Sequence, residues 1–397
     1  MYDYHELDDR NMRGTLRDWR KALRTPATYR VGNTVRIQPQ FIYLILLIGG
    51  ILLLLSYYNW WTANHVETEH RWTNSLRQYN TTYPLTAPFV STGEIVTFRI
   101  GIVSDLDRDS KSKSKPNEFI SYYKKGYLSY NKLKQHVNVK WDPQPPVILS
   151  SSYSQKGRGM ELSELIVYDG RLLSFDDRTG MIYEILNNNK VIPWVVLADG
   201  NGHTEKGFKA EWVTIKDEIL YIGSMGKEWT TGTGEFESYD PMWVKAVNIH
   251  GEVQHLSWIN QYKAIRSVIG ISWPGYMIHE SAAWSSTKNK WYFLPRKCSH
   301  DKYNETSDEL MGCQYLITAD ANFMNIHSKE ITKHQPDFGF SSFKFIPGTD
   351  DEVIIALKTT EYQGKTSTYI TALTMDNKVL MPDTLIENLK YEGIEFI

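Results

Sequence analysis

This sequence is poor in the residues that announce the commonest catalytic chemistries. Only two cysteines occur among 397 residues, so neither a cysteine and histidine set with zinc spacing nor a disulfide-rich small fold can be drawn. There is no G-x-x-x-x-G-K-[ST] loop, no G-x-S-x-G elbow and no H-E-x-x-H pair, which sets aside P-loop phosphoryl transfer, an α/β-hydrolase and a zincin. Net charge is only −2, and no basic stripe interleaved with aromatics runs through the later three-quarters of the chain, so no nucleic-acid partner is expected. Helical periodicity is nearly missing after residue 94. What is plentiful is aromatic: 13 Trp and 25 Tyr favour strands over helices.

One long apolar run breaks this pattern. Phe41 to Leu55 is an uninterrupted apolar block without a charged residue and is followed by Tyr57, Tyr58, Trp60 and Trp61, residues suited to a membrane interface. Forty residues precede it and no small-residue cleavage site follows, so residues 41–61 are expected to be an uncleaved signal anchor rather than a signal peptide. Eight Lys or Arg lie in the first forty residues, which predicts a cytoplasmic N-terminus and a luminal or extracellular remainder. Residues 1–40 read as a tail with weak helical character around Leu16 to Leu23, and residues 62–93 as a luminal stem. Two sequons, at Asn80 and Asn304, fall on the luminal side. In an oxidising lumen Cys298 and Cys313 form either one bridge or two free thiols.

From residue 94 to 397 strand and turn signals alternate. IVTFRIGIV reads as a buried strand, and hairpins recur in ELIVYDGRLLSFDDRTGMIYEI, EWVTIKDEILYIGS, AAWSSTKNKWYFLP, FKFIPGTDDEVIIALK and TSTYITALTMDNKVLM. About 300 residues divided into units of about 60 predict an all-β, five-bladed β-propeller, with YEGIEFI closing the ring against IVTFRIGIV. A β-sandwich pair is the rival. An exposed blade edge leaves a homodimer open.

Ser163, Glu211, Glu280, Ser341 and Glu392 open β-rich stretches at intervals of 48, 69, 61 and 51 residues. In a radial array these oxygens converge on the axis, where they suit a hard cation such as calcium; otherwise Ser and Glu merely begin strands at loop edges. Nearby loops carry Arg158, Arg178, Lys206, Lys209, Lys227, Arg296 and Lys344, the cations that a polyphosphate needs beside a metal. Asp105, Asp107, Glu161, Asp176, Asp177 and Glu228 are the carboxylates available to orient a water. Asp176 and Asp177 are equally residues of a hairpin turn, and Asp107 ends a buried strand. Trp212 and Trp229 read either as base-stacking or as blade core, and His279 as structural.

The segments KGRGMELSELIV, DDRTG, EKGFKAEW, GKEWTT, PGYMIHESAAW, GFSSFKFIP and KYEGIEFI closely resemble those of the calcium-activated nucleotidases of the apyrase family, in the same order from about Ile95 to Ile397. The resemblance implies a five-bladed propeller with one central calcium ion, hydrolysing nucleoside diphosphates such as UDP, GDP and IDP to the monophosphate and phosphate. It implies calcium ligands at Ser163, Glu211, Glu280, Ser341 and Glu392, and catalytic roles for Asp107, Arg296 and Asp105. Substrate-binding roles then fall to Arg158, Glu161, Asp177, Arg178, Lys206, Lys209, Lys227, Trp229 and Lys344. With the anchor, it places the domain in the ER or Golgi lumen in support of glycosylation and proteoglycan synthesis, with release by cleavage in the stem left open.

Overall fold

The computed structural model describes residues 29–31, 35–37, 39–65, 78–91 and 94–397, with side chains in the helix placed over 43–57. Two units divide the chain, Met1–Thr73 and Asn74–Ile397. The first holds a short hairpin, Tyr29–Val31 with Val35–Ile37, and a helix, Pro39–His65. Tyr43 to Ile48 and Ile51 to Leu55 are exposed on that helix. Among the described residues no helix is long and apolar enough to cross a membrane. The helical character expected near Leu16 to Leu23 lies outside the described residues.

The second unit is a propeller of five blades, each a four-stranded antiparallel core. Blade 1 comprises Ile95–Ser104, Phe119–Asn131 and His136–Trp141, and its innermost strand is the C-terminal Tyr391–Phe396. The closure expected of YEGIEFI is therefore present. Blades 2 to 5 run inside to outside in chain order, over residues 162–196, 212–257, 282–330 and 338–387. Their inner strands are Leu162–Tyr168, Trp212–Lys216, Ala282–Ser285 and Phe338–Phe345.

Ring closure is visible in the core. Five apolar clusters each join a different adjacent pair of blades. Tyr391, Ile394 and Phe396 pack with Ile355 and Leu357 between blades 1 and 5, so the chain's end is held by burial as well as by backbone pairing. Trp212 is fully buried between blades 3 and 4, its indole donating to Tyr262 Oη at 3.2 Å. A Cβ on Gly223 would lie 2.0 Å from that indole, so only glycine fits beside it. Trp212 is thus blade core. Cys298 and Cys313 form a disulfide, with Cα atoms 5.2 Å apart.

Two features lay outside the strand-and-turn reading. A helix, Ile259–Ser267, packs Tyr262, Ile265 and Arg266 into the interior between blades 3 and 4. Part of the expected stem belongs to the propeller: Tyr79 packs on Tyr168, Asn80 N–H donates to Asp169 at 2.9 Å, and Phe89–Ser91 pairs with Ile95–Ser104. Tyr83 Oη donates to Glu395 at 2.9 Å.

Candidate functional site

Inner strands set the site, because in a closed ring their leading ends face one another. Ser163 and Glu392 are second residues of their strands, Glu211 immediately precedes its strand, Glu280 stands two residues before Ala282–Ser285, and Ser341 lies within Phe338–Phe345. Four of the five are almost wholly buried and Glu280 is nearly so. Loops bring cations to them: Lys209 just ahead of Glu211, Arg296 beyond Lys290–Phe293, Lys390 beside the closing strand and Arg158 ahead of Leu162–Tyr168.

Two ionic groups result, one linked through Arg158, Lys390 and Arg296 and the other centred on Lys209. Arg158 donates to Glu161 Oε1 at 2.7 Å and to Asp107 at 3.1 Å. Lys209 bridges Asp177 and Glu211, the latter at 2.6 Å. Arg296 joins Glu280 to Glu392 at 3.1 Å and Glu361 at 3.2 Å. Lys390 reaches Asp105 at 2.7 Å, Glu392 at 3.2 Å, Asp107 at 3.4 Å and Glu361 at 3.5 Å.

Burial holds Glu392 well above the usual carboxylate range and Glu211 up to about 8, against the opposing pull of Lys390 and Lys209 respectively. Glu161 is raised to about 7 by burial despite Arg158. For Asp105 burial is again the largest influence and pushes upward, but the Lys390 ammonium, the Asp107 N–H and Lys209 together bring the carboxyl below its ordinary value. Such buried carboxylates favour any arriving positive charge.

Two oxygen sets suit a hard cation. One is the five-residue ring, where Ser341 Oγ is buried with no hydrogen-bond partner among the described residues while Ser163 Oγ donates to Ala210 O at 2.6 Å. Carboxylate, hydroxyl and carbonyl oxygens without nitrogen or sulfur are the donors calcium accepts. The other is Asp105, Glu161 and Asp177, which offer ligand oxygens within 4.8 Å of one another and form the tightest acidic group among the described residues. Glu211, Glu280 and Glu392 form no group as tight among the described residues, and each pairs with a basic side chain.

The remaining expected residues divide. Asp105 is the buried aspartate; Asp107 is exposed at the rim, at φ 47° in the turn after the strand, where its side chain meets both Arg158 and Lys390. Asp176 anchors its hairpin by accepting from Met160, Arg178 and Thr179 N–H, the structural role of a turn aspartate. Lys227 and Trp229 line a cavity of about 470 Å³ with Lys209, Tyr303, Arg296 and Lys390. Lys206 pairs with Asp199 at 2.7 Å and lies 4.1 Å over the Trp229 ring.

Others stand apart from the network. Lys344 pairs with buried Glu164 at 3.4 Å, and Arg178 is half-buried with no carboxylate partner among the described residues. Glu228 is taken by Arg266 in a buried bidentate pair at 2.7 and 2.8 Å, and His279 packs against Tyr262 and Phe293. Sequence reasoning passed over Lys390 and Glu361. Lys390 opens the segment KYEGIEFI, so its place two residues before Glu392 was the available signal; Glu361 had none.

The sequence model of a family described as Apyrase matches residues 106–397. The chain is 47% identical over 370 residues to "Soluble calcium-activated nucleotidase 1" of Rattus norvegicus, covering 91% of each chain. It is 45% identical over 374 residues to "Apyrase" of Cimex lectularius, covering 94% of this chain and 100% of the relative. "Apyrase apy-1" of Caenorhabditis elegans matches at 39% over 302 residues, covering 75% of this chain and 84% of the relative. This chain belongs to the apyrase family.

Proposed function

We propose that this member of the apyrase family is a calcium-dependent nucleoside diphosphatase, acting on UDP, GDP and IDP at the centre of the propeller. The observation that carries the reading is the meeting of Arg158, Lys209, Arg296 and Lys390 with buried carboxylates at the leading ends of the inner strands. Ser163, Glu211, Glu280, Ser341 and Glu392 are the residues that would hold the calcium, with Asp105, Glu161 and Asp177 beside them. A bound divalent cation neutralises phosphate oxygens and acidifies a coordinated water.

The protein groups divide the remaining work. Lys209, Arg296 and Lys390, freed in part from their carboxylates, neutralise the charge that develops on the terminal phosphoryl oxygens. Arg158 fixes Asp107, which orients the attacking water and accepts its proton. The new P–O bond forms from that water while the bond from the terminal phosphorus to the bridging oxygen breaks, releasing monophosphate and phosphate. Trp229 and Tyr303 give the adjoining cavity an aromatic wall for the base.

Phosphate release from UDP by the purified protein should need calcium, and Asp107→Asn should abolish turnover while keeping the thermal shift that calcium produces. Equal release in excess chelator overturns the reading. Residues 41–61, within helix Pro39–His65, we read as the signal anchor, which puts the propeller in the secretory lumen where removal of UDP supports glycosylation and proteoglycan synthesis. The apolar run and the eight basic residues before it support that topology. Glycosidase-sensitive mass at Asn80 and Asn304, with the propeller protected from protease in sealed vesicles, tests it.

A further inference from the structure

Lys245 is a fully buried cation that the chemistry above does not use. It lies on Trp243–Val247, the third strand of blade 3, opposite Ile222 and His255. Its ammonium donates to Gly200 O, approaches His255 Nδ1 at 3.0 Å and sits 4.8 Å over the Phe208 ring. Burying an ammonium is costly unless strong partners compensate, so an apolar side chain would pack this strand at lower cost. What Lys245 holds is the loop 199–206.

That loop is shaped to sit on this cation. Gly200 and Gly202 have φ of 51° and 88°; a Cβ on the first would strike Asp240 and on the second His255, so the backbone lies directly against blade 3. Asp199 is 1% exposed, its Oδ1 accepting from Gly200 N–H and its Oδ2 from Lys206 Nζ at 2.7 Å. The loop closes through Asp199 N–H to Lys206 O at 2.9 Å. Lys206 in turn lies on Trp229, which lines the cavity beside the phosphate network. A chain of contacts therefore runs from Lys245 through Gly200 and Asp199 to Lys206 and the Trp229 ring.

We propose that Lys245 is a positioning residue for nucleotide affinity: by clamping the loop 199–206 it holds Lys206 against Trp229 and so fixes the wall on which the base rests. It touches neither substrate nor the reacting atoms. The inference rests on the diphosphatase reading for its substrate, and its effect belongs to binding rather than to the chemical step.

The test compares wild type with Lys245→Met, which keeps the stem's bulk and removes the charge, and with Asp199→Asn, which leaves Lys245 in place and loosens Lys206. For both, KM for UDP should rise about tenfold with kcat within about twofold, the split expected when uniform binding is lost. The calcium-dependent thermal shift should match wild type, because the ring is intact. A folded Lys245→Met with unchanged KM, or one losing kcat alone, overturns the proposal. Should Lys245→Met not fold, Asp199→Asn decides, and an unchanged KM there overturns it equally. A wild-type protein that binds α,β-methylene-UDP without hydrolysing UDP would sink the diphosphatase reading alone, and the variants are then judged by their Kd for that analogue. A wild type that binds neither removes both.

Discussion

Replacing Arg296 by Met should expose the competition between fixed and mobile positive charge at the axis. The guanidinium is 5% exposed and serves Glu280, Glu361 and Glu392 together. Removing one partner of a buried ion pair costs about 3–5 kcal/mol, since the remaining charges stay uncompensated. For a unit spanning Asn74–Ile397, an unfolding entropy of about 2.1 cal/mol/K per residue converts that loss to a fall in Tm of about 4–8 °C in chelator. Calcium at a hundredfold excess over its Kd would return about 2.7 kcal/mol to wild type. In Arg296→Met the return should be larger, because a divalent ion then meets Glu280 and Glu392 without a guanidinium opposing it. Differential scanning calorimetry of both proteins, with chelator and with calcium, measures the two shifts. A variant matching wild type in chelator, or gaining less from calcium than wild type does, refutes the reasoning.

Lys227 is pulled down to about 8 by burial, so its charge is present below that pH and lost above it; kcat/KM for UDP should fall above about pH 8 through KM, and Lys227→Met should be weak throughout without that limb. Tyr83→Phe removes the donor to Glu395, and a loss of about 1 kcal/mol in urea unfolding would mark residues 78–91 as part of the propeller; no loss would mark them as linker. Cys298→Ser with Cys313→Ser opens a loop with a sequence separation of 15, which should cost about 3 kcal/mol by thermal unfolding while wild type in reductant shows the same deficit.

Much of this architecture is local, and local features are what a sequence displays. Asp169-Gly170 and the Asp176 turn each join two strands whose apolar faces alternate nearby, so blade 2 could be outlined from its residues. The five oxygen-bearing positions were recognisable because each stands beside bulky apolar residues at or near the leading end of an inner strand. Lys344 carried the same sequence signal as Lys209, yet one turns to Glu164 and the other to Asp177 and Glu211. Glu228 resembled a site carboxylate until Arg266, on a helix 38 residues later, occupied it. Side-chain direction at the end of a strand depends on the neighbouring blade, which hydrophobic period does not encode.

By itself the sequence determined the class of fold, the number of blades, the closing strand and the family, because each is written in short-range pattern or in long matching motifs. Tertiary structure alone decided which charges share the axis. Lys390 Nζ lies 2.7 Å from Asp105, a residue 285 positions earlier, only because Tyr391–Phe396 completes the blade that Ile95–Ser104 begins. Closing the ring buries these groups together, and burial lets few charges remain without a partner.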